Sequence, residues 1–409
     1  MKLQRPSPIV FIFITIFIEF MGGSLLVPIL PYIVERYSSD AFTIGLLSAS
    51  FALAQFVAAP VLGAASDRFG RRPVLLWCVV GTGLGYLIFG LAGALWMLFL
   101  GRIIDGITGG VVSTAQAYIA DISRAEDRAQ NFGLVGAAFG LGFILGPAIG
   151  GILAEIDLNL PVFVAAALTL ANVALGYVTL TESLPPEKRQ VVPLAELNPL
   201  TQLANLVRNR EVRLLMLGFF LFNFAFAGFQ SVFAVFTRDR FAWGTRENAF
   251  LFAYIGLISS VVQGGLIRTL IPRYGETKLA LTGLTLCALA MAGVAYVPTG
   301  GWLYGTQFLF ALGVGLCLPT LRALISARAT AQEQGRIIGG SQALVSLAMV
   351  LGPLWAGFIF DRIGFTAPYW SASFWMFSAL GLIALALRRF PAVPVSARPP
   401  GSAPATLPK

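Results

Sequence analysis

About a dozen blocks of roughly twenty apolar residues run along this chain, separated by short polar gaps, and an α-helix needs about 20 such residues to cross a hydrocarbon core. Pro8–Pro31, Thr43–Ala65, Val74–Ala92, Asn159–Thr181 and Ala367–Leu387 are examples. Inside a bilayer no water satisfies the backbone, so each block is predicted to be a helix that closes its own hydrogen bonds. The apolar share is 57% and the charged share 11%, against about 45–50% and 25% in soluble domains. The chain is therefore predicted to be an all-α membrane protein. Its twelve transmembrane helices are placed near residues 8–34, 40–66, 73–92, 94–120, 128–155, 159–181, 211–237, 246–270, 277–297, 300–326, 335–360 and 366–388.

A net charge of +9 would suggest nucleic acid in a soluble protein. Its distribution argues otherwise. Arg36, Arg238, Arg240, Arg246 and Arg362 fall on one side of the predicted helices and Arg102 within them. All other Lys and Arg share the side of the N-terminus. The positive-inside rule then places both termini and the 182–210 loop in the cytoplasm of a cell with the protein in its inner (plasma) membrane. The basic excess faces lipid headgroups, and no nucleic-acid partner is expected. The first apolar run is too long for a signal peptide and is followed by no small-residue cleavage site. Cys78, Cys287 and Cys317 all sit inside helices, with neither disulfide nor metal spacing. The absence of histidine excludes histidine relays. No metal and no cofactor is expected. The stretch 391–409, rich in Pro, Ala and Ser, reads as a disordered tail.

An internal repeat spans half the length. Gly146-Pro147 returns as Gly352-Pro353, and Arg68-Phe69-Gly70 returns as Arg273-Tyr274-Gly275. This predicts two pseudo-symmetric six-helix halves, 1–181 and 211–390, joined by a 182–210 linker. Parallel repeats of this kind describe the major facilitator fold, with a substrate site between the halves near the midplane.

Three features carry candidate function. The loop Gly63-Ala64-Ala65-Ser66-Asp67-Arg68-Phe69-Gly70-Arg71-Arg72-Pro73 can join helices through Asp67 and its arginines in one state and release them in another, so Gly63, Asp67, Arg68, Gly70, Arg71 and Arg72 are gating candidates. A plain positive-inside anchor is the alternative. Its second copy has Pro272 in place of the aspartate. Helix five carries Gly140, Gly142, Gly146-Pro147 and Gly150-Gly151, read either as close packing or as a pliable seam against the other half. Ionisable groups inside the bilayer are Glu19, Arg102 and Asp105, each costing roughly 2.5–3.5 kcal/mol to insert. Arg102 and Asp105 share a helix face and form either a structural pair or, with Glu19, a proton carrier. Gln55, Gln116, Asn223, Gln230 and Gln307 are polar candidates for the substrate cavity. Most of the phenylalanines of helix seven are expected to pack or face lipid, and Phe226 stands for the minority expected to line a greasy pocket. Few polar anchors among many aromatics suit an amphipathic substrate.

The chain resembles the major facilitator drug:proton antiporters, and among them the tetracycline-resistance (multidrug efflux) branch. The likeness is strongest over Gly101-Arg102-Ile103-Ile104-Asp105-Gly106-Ile107-Thr108-Gly109-Gly110 and Ala117-Tyr118-Ile119-Ala120-Asp121. It extends to Gln55-Phe56-Val57-Ala58-Ala59-Pro60, Leu318-Pro319-Thr320-Leu321 and Gln334-Gly335. The resemblance implies proton-driven export by alternating access. It implies an antiporter motif at Gly142, Gly146, Pro147, Gly150 and Gly151, a gating role for Asp121, and roles for Glu19, Asp67, Arg102 and Gln55. That branch has an acid before a tyrosine in helix three, where this chain has Gly85-Tyr86; it has an acid in helix nine and a histidine in helix eight, and both are missing here. The groups that recognise metal–tetracycline are thus incomplete.

The expected partners are a small-molecule substrate, protons and the lipid bilayer, with a monomer as the unit. A proton symporter or facilitator for a metabolite is the alternative within transport. A non-transporting receptor would need a signalling domain that these short loops lack. An enzyme is not expected, because no activated nucleophile or metal cluster is present.

Overall fold

The computed structural model describes residues 8–124, 127–190, 210–328 and 334–389. Most of the predicted linker and the whole of the predicted tail lie outside the described residues. Twelve helices are long and apolar enough to cross a membrane. They are α1 (Pro8–Val34), α2 (Ala41–Phe69), α3 (Arg71–Gly90), α4 (Leu95–Ile122), α5 (Arg128–Ala154), α6 (Leu160–Thr179), α7 (Arg210–Phe241), α8 (Thr245–Tyr274), α9 (Glu276–Val294), α10 (Gly301–Ser326), α11 (Gln334–Ile363) and α12 (Ala367–Arg389). The predicted bounds hold to within a few residues at most ends.

Two helices are not continuous. In α4 the run Thr108-Gly109-Gly110 breaks the ladder. A broken helix at membrane depth must find other partners for its backbone. The Gln55 amide donates to the freed Gly109 carbonyl at 3.2 Å. In α8 a π-helical turn covers Val262–Leu266, where Gly264 and Gly265 lower the cost of widening the helix.

The packing repeats between the first six helices and the last six. α1 lies on α5 as α7 lies on α11; α3 lies on α4 and α6 as α9 lies on α10 and α12. Across the halves, α2 packs on α11 and α5 on α8. Glycines set several of these approaches. A Cβ at Gly85 would meet the Gly101 carbonyl oxygen at 2.9 Å, and one at Gly101 would meet that of Gly85 at 2.7 Å.

Every hydrogen bond and ion pair that joins the halves through described residues lies at the end of the bundle opposite the Asp67–Arg72 loop. Tyr32 donates to the Trp243 carbonyl at 2.7 Å, Asn248 donates to Tyr32 at 3.1 Å, and Arg238 pairs with Glu35 at 2.8 Å. Toward the loop end no hydrogen bond or ion pair between described residues joins the halves. At Gly63, Gly133, Gly136, Gly264 and Gly265 an added Cβ would meet nothing within 4 Å. The described halves are closed at one end and apart at the other.

Candidate functional site

A cavity of about 320 Å³ lies between the halves. Its wall is unequal. Glu19, Phe20 and Ser24 of α1, Phe51 and Gln55 of α2, Tyr86 of α3, Arg102 and Asp105 of α4, and Phe139 and Phe143 of α5 come from the first half. The second half adds Ala227, Gln230, Ser231, Met349 and Pro353. All its charges and all its aromatic rings therefore belong to the first six helices.

The three predicted intramembrane charges converge on this wall. Arg102 Nη1 meets Asp105 Oδ2 at 2.8 Å, and the guanidinium carbon sits 4.0 Å from the centre of the Phe51 ring. The Asp105 side chain is 4% exposed, so the pair is shielded from solvent. Stacking on an aromatic face and a carboxylate partner together offset part of the cost of holding a guanidinium at this depth. Glu19 differs. It has no hydrogen bond or ion pair among the described residues, and it faces the cavity beside that pair.

The remaining predicted residues divide. Gln55 and Gln230 line the cavity. Asn223, Phe226, Gln307 and Gln116 are not on its wall. Asn223 is buried and donates to the Phe219 carbonyl at 2.7 Å. Phe226 stacks on Phe310 in the core of the second half, with ring centres 5.8 Å apart. Gln307 is fully buried, with no partner for either amide atom among the described residues. The rings that do line the cavity (Phe20, Phe51, Tyr86, Phe139 and Phe143) were not singled out in the sequence. In the phenylalanine-rich helix seven, Phe219, Phe222, Phe229 and Phe233 fill a core, as expected of most of its rings, and Phe226, taken for the pocket, packs with them.

The glycines of α5 divide between the two readings, with three packed within the same half and two facing the other half. A Cβ at Gly142 would meet Phe20 Cβ at 2.8 Å and Met21 N at 2.9 Å, one at Gly146 would meet the Met21 carbonyl oxygen at 2.6 Å, and one at Gly150 that of Leu25 at 2.8 Å. These three face α1 of the same half, where Ser24 donates to the Gly142 carbonyl at 2.9 Å. Pro147 lies inside the helix between them. Gly151 and Gly140 do look across, toward Thr245 and Ser260 of α8. Gly142→Ala should accordingly cost about 1–3 kcal/mol, the usual range for overpacking. Gly381→Ala, in open space on α12, should cost none. Thermal unfolding in detergent checks this: equal midpoints for the two variants would contradict the packing described.

At the loop end, Arg71 gathers the gating candidates. It pairs with Asp67 at 2.6 Å and Asp121 at 3.1 Å and donates to Ser66 Oγ at 2.7 Å. Arg72 donates to the Tyr177 carbonyl at 2.8 Å, and Arg68 lies over Phe69. Glu182, which the sequence did not reveal, accepts from the backbone N–H of Arg71 at 2.9 Å and of Arg72 at 3.3 Å, capping α3. Gly70 has φ of 106°, and its space is closed by the Glu182 side chain. The Gln190 N–H donates to the Asp67 carbonyl at 3.2 Å. All these contacts lie within the first half and the segment after it; Gly63 touches nothing across the gap.

A family profile described as Major Facilitator Superfamily matches residues 12–339 and 266–408. The chain is 36% identical over 392 residues to the class C tetracycline resistance protein of Escherichia coli, covering 95% of this chain and 98% of that one. It is 30% identical over 379 residues to multidrug resistance protein 2 of Bacillus subtilis (strain 168), covering 90% and 92%. Among solved structures, the human organic anion transporter MFSD10 (TETRAN) matches with a TM-score of 0.72 and 25% identity, over 93% of this chain and 100% of that one. A bacterial homolog of the human lysosomal transporter Spinster, inward-facing and occupied, matches with a TM-score of 0.78 over 95% and 98% at 17% identity, a likeness of fold alone.

Proposed function

The chain belongs to the Major Facilitator Superfamily of membrane transporters, and from that premise we propose that it exports lipophilic small molecules in exchange for protons, with Glu19 as the proton-carrying group. One observation carries this reading. A carboxyl without a hydrogen-bond or ion-pair partner among the described residues faces an aromatic-walled cavity, next to an Arg102–Asp105 pair that is already neutralised. A lone carboxyl in such a place is costly, and alternating between protonated and ionised forms gives it a use. Relatives named for tetracycline and multidrug resistance support drug-like substrates. The aromatic wall, with Gln55, Gln230 and three serines (Ser24, Ser48 and Ser231) among its neutral polar groups, suits an amphipathic molecule. An acid at position 85 would collide with α4, so the metal–tetracycline groups of the relatives have no direct replacement there. One chain supplies the whole cavity and serves as the working unit.

The division into a first half ending at 181 and a second beginning at 211 belongs to the same reading. So does a plasma-membrane orientation with both termini and the Asp67–Arg72 loop in the cytoplasm, on the basis of the charge distribution. The structure's open end is then the cytoplasmic one, and substrate enters there. Asp67, Arg71 and Asp121 shut this end in the other state, with Gly63 allowing α2 to approach α11. Asp67→Asn should raise the ratio of cytoplasm-open to cytoplasm-closed molecules about tenfold, the shift expected when a contact made in one state is lost. Spin labels at the exposed positions Phe69 and Gln342 read that ratio. An unchanged distance distribution alongside lost transport would place Asp67 in another step.

A further inference from the structure

Carboxylates at the closed end sit at equivalent places in the two halves but do unequal jobs. The sequence offset that carries Gly146-Pro147 onto Gly352-Pro353 also carries Glu155 onto Asp361 and Gly151 onto Gly357. The offset that carries Arg68 onto Arg273 carries Ala41 onto Arg246. The structure brings these equivalents together across the halves. Asp361, at the end of α11, meets the start of α2; Glu155, just past α5, meets the start of α8.

At the first junction, Asp361 accepts the backbone N–H of Ala41 at 3.0 Å and that of Phe42 at 2.8 Å, one on each carboxylate oxygen. Those N–H groups belong to the first turn of α2, which has no intrahelical acceptor for them and carries the positive end of the helix dipole. The residue placed to cap this helix locally, Asp40, makes no capping bond; its carboxylate takes the Thr43 hydroxyl instead. The cap of α2 is thus supplied by the other half of the protein. The backbones are also in close contact. A Cβ at Gly357 would meet the Ala41 carbonyl oxygen at 2.7 Å, and one at Gly45 would collide with the Pro353 carbonyl oxygen.

At the second junction the helices approach as closely, since a Cβ at Gly151 would collide with Ala249 and meet the Thr245 carbonyl oxygen at 3.0 Å, but the carboxylate is held more loosely. Glu155 meets only the side chain of Arg246, at 3.6 Å, and both side chains are about half exposed (46% and 58%). The start of α8 is served from within its own half, where Glu247 accepts the Gly244 N–H at 2.8 Å. Exposed ion pairs of this kind contribute little, whereas a carboxylate bonded to two first-turn N–H groups is a charge-assisted cap.

We propose that Asp361 is the principal latch of the end opposite the Asp67 loop, a cap lent by α11 to α2, and that Glu155 is its weaker pseudo-symmetric counterpart. Opening that end then requires Asp361 to withdraw from the first turn of α2 and the contacts of Tyr32 with Trp243 and Asn248 and of Glu35 with Arg238 to part, whereas the Glu155–Arg246 pair separates at small cost. The inference rests on the transport reading only in taking this end to open and close; it needs neither a substrate nor a direction.

The test uses spin labels at Ser39 and Ile363, both exposed, in the full chain; the three native cysteines are buried, leaving the introduced ones to react. Pulsed dipolar distances are recorded without substrate in wild type, Asp361→Asn and Glu155→Gln. Asp361→Asn should raise the open-to-closed ratio at this end about five- to tenfold, and Glu155→Gln by about twofold or less. Should the Asn variant fail to insert, Asp361→Glu, which keeps the charge but displaces it by a methylene, should give a shift larger than that of Glu155→Gln. Equal shifts for the two sites, or no shift at Asp361, would overturn the proposal while leaving proton-coupled export untouched.

Discussion

Glu19→Gln is expected to abolish concentrative transport while substrate still binds and still moves down its own gradient. Gln keeps the size and polarity of the side chain and removes only the exchangeable proton. Each coupled proton moving through about 100 mV supplies roughly 2.3 kcal/mol, enough to support a substrate ratio of about 50. The variant should fall from that ratio to near unity. Among the described residues Glu19 has no hydrogen-bond or ion-pair partner to lose, so insertion and thermal stability should be close to wild type. The measurement is steady-state substrate accumulation in vesicles together with equilibrium binding in detergent. A Gln variant that concentrates substrate normally would make Glu19 structural and shift attention to Asp105.

Arg102→Ala should be nearly as damaging, for a different reason. It leaves the Asp105 carboxylate buried at 4% exposure without its ion-pair partner, a change that typically costs about 3–5 kcal/mol. It also removes the cation from the face of Phe51. Arg102→Lys restores a charge but not the planar fork or its stacking, and should retain intermediate transport. Transport per inserted molecule should therefore fall in the order wild type, Lys, Ala, with at least about tenfold between the last two. Pairing Arg102→Ala with Asp105→Asn should recover insertion and thermal stability, because no buried charge is then left alone. Wild-type transport by both single variants would eliminate the pair from the mechanism.

The fold was legible because lipid imposes one rule on every segment. Apolar length set the helices, the charge distribution suggested their orientation, and a half-length repeat announced the paired halves. The intramembrane charges were legible for the same reason: Glu19, Arg102 and Asp105 are too costly to place at random. Facing was not legible. Glycine and phenylalanine carry no sign of which neighbour they meet. So Gly142, Gly146 and Gly150 turned out to face α1, and Phe226 of α7 a core, while Phe51, Phe139 and Phe143 took the cavity. Gln55 looked like a substrate ligand; it does line the cavity, but it also holds the carbonyl freed by the break at Thr108–Gly110, which the unbroken hydropathy of α4 hid. Glu182 went unseen because a carboxylate in a polar segment is ordinary until its acceptors are matched to the N–H groups of Arg71 and Arg72. Asp361 was hidden likewise, its partner lying in a helix far away in the chain.

The claim that export is paid in protons is tested most directly by proton flux driven by substrate alone. Purified protein is reconstituted with a pH-sensitive dye trapped inside vesicles, with equal pH on both sides. A lipophilic amine or tetracycline is then added outside as the probe. Antiport requires entering substrate to drive protons out, so the interior should become alkaline, and Glu19→Gln should remove the signal while permitting substrate entry. Interior acidification would indicate symport, and substrate entry with no pH change in the wild type would contradict proton coupling altogether.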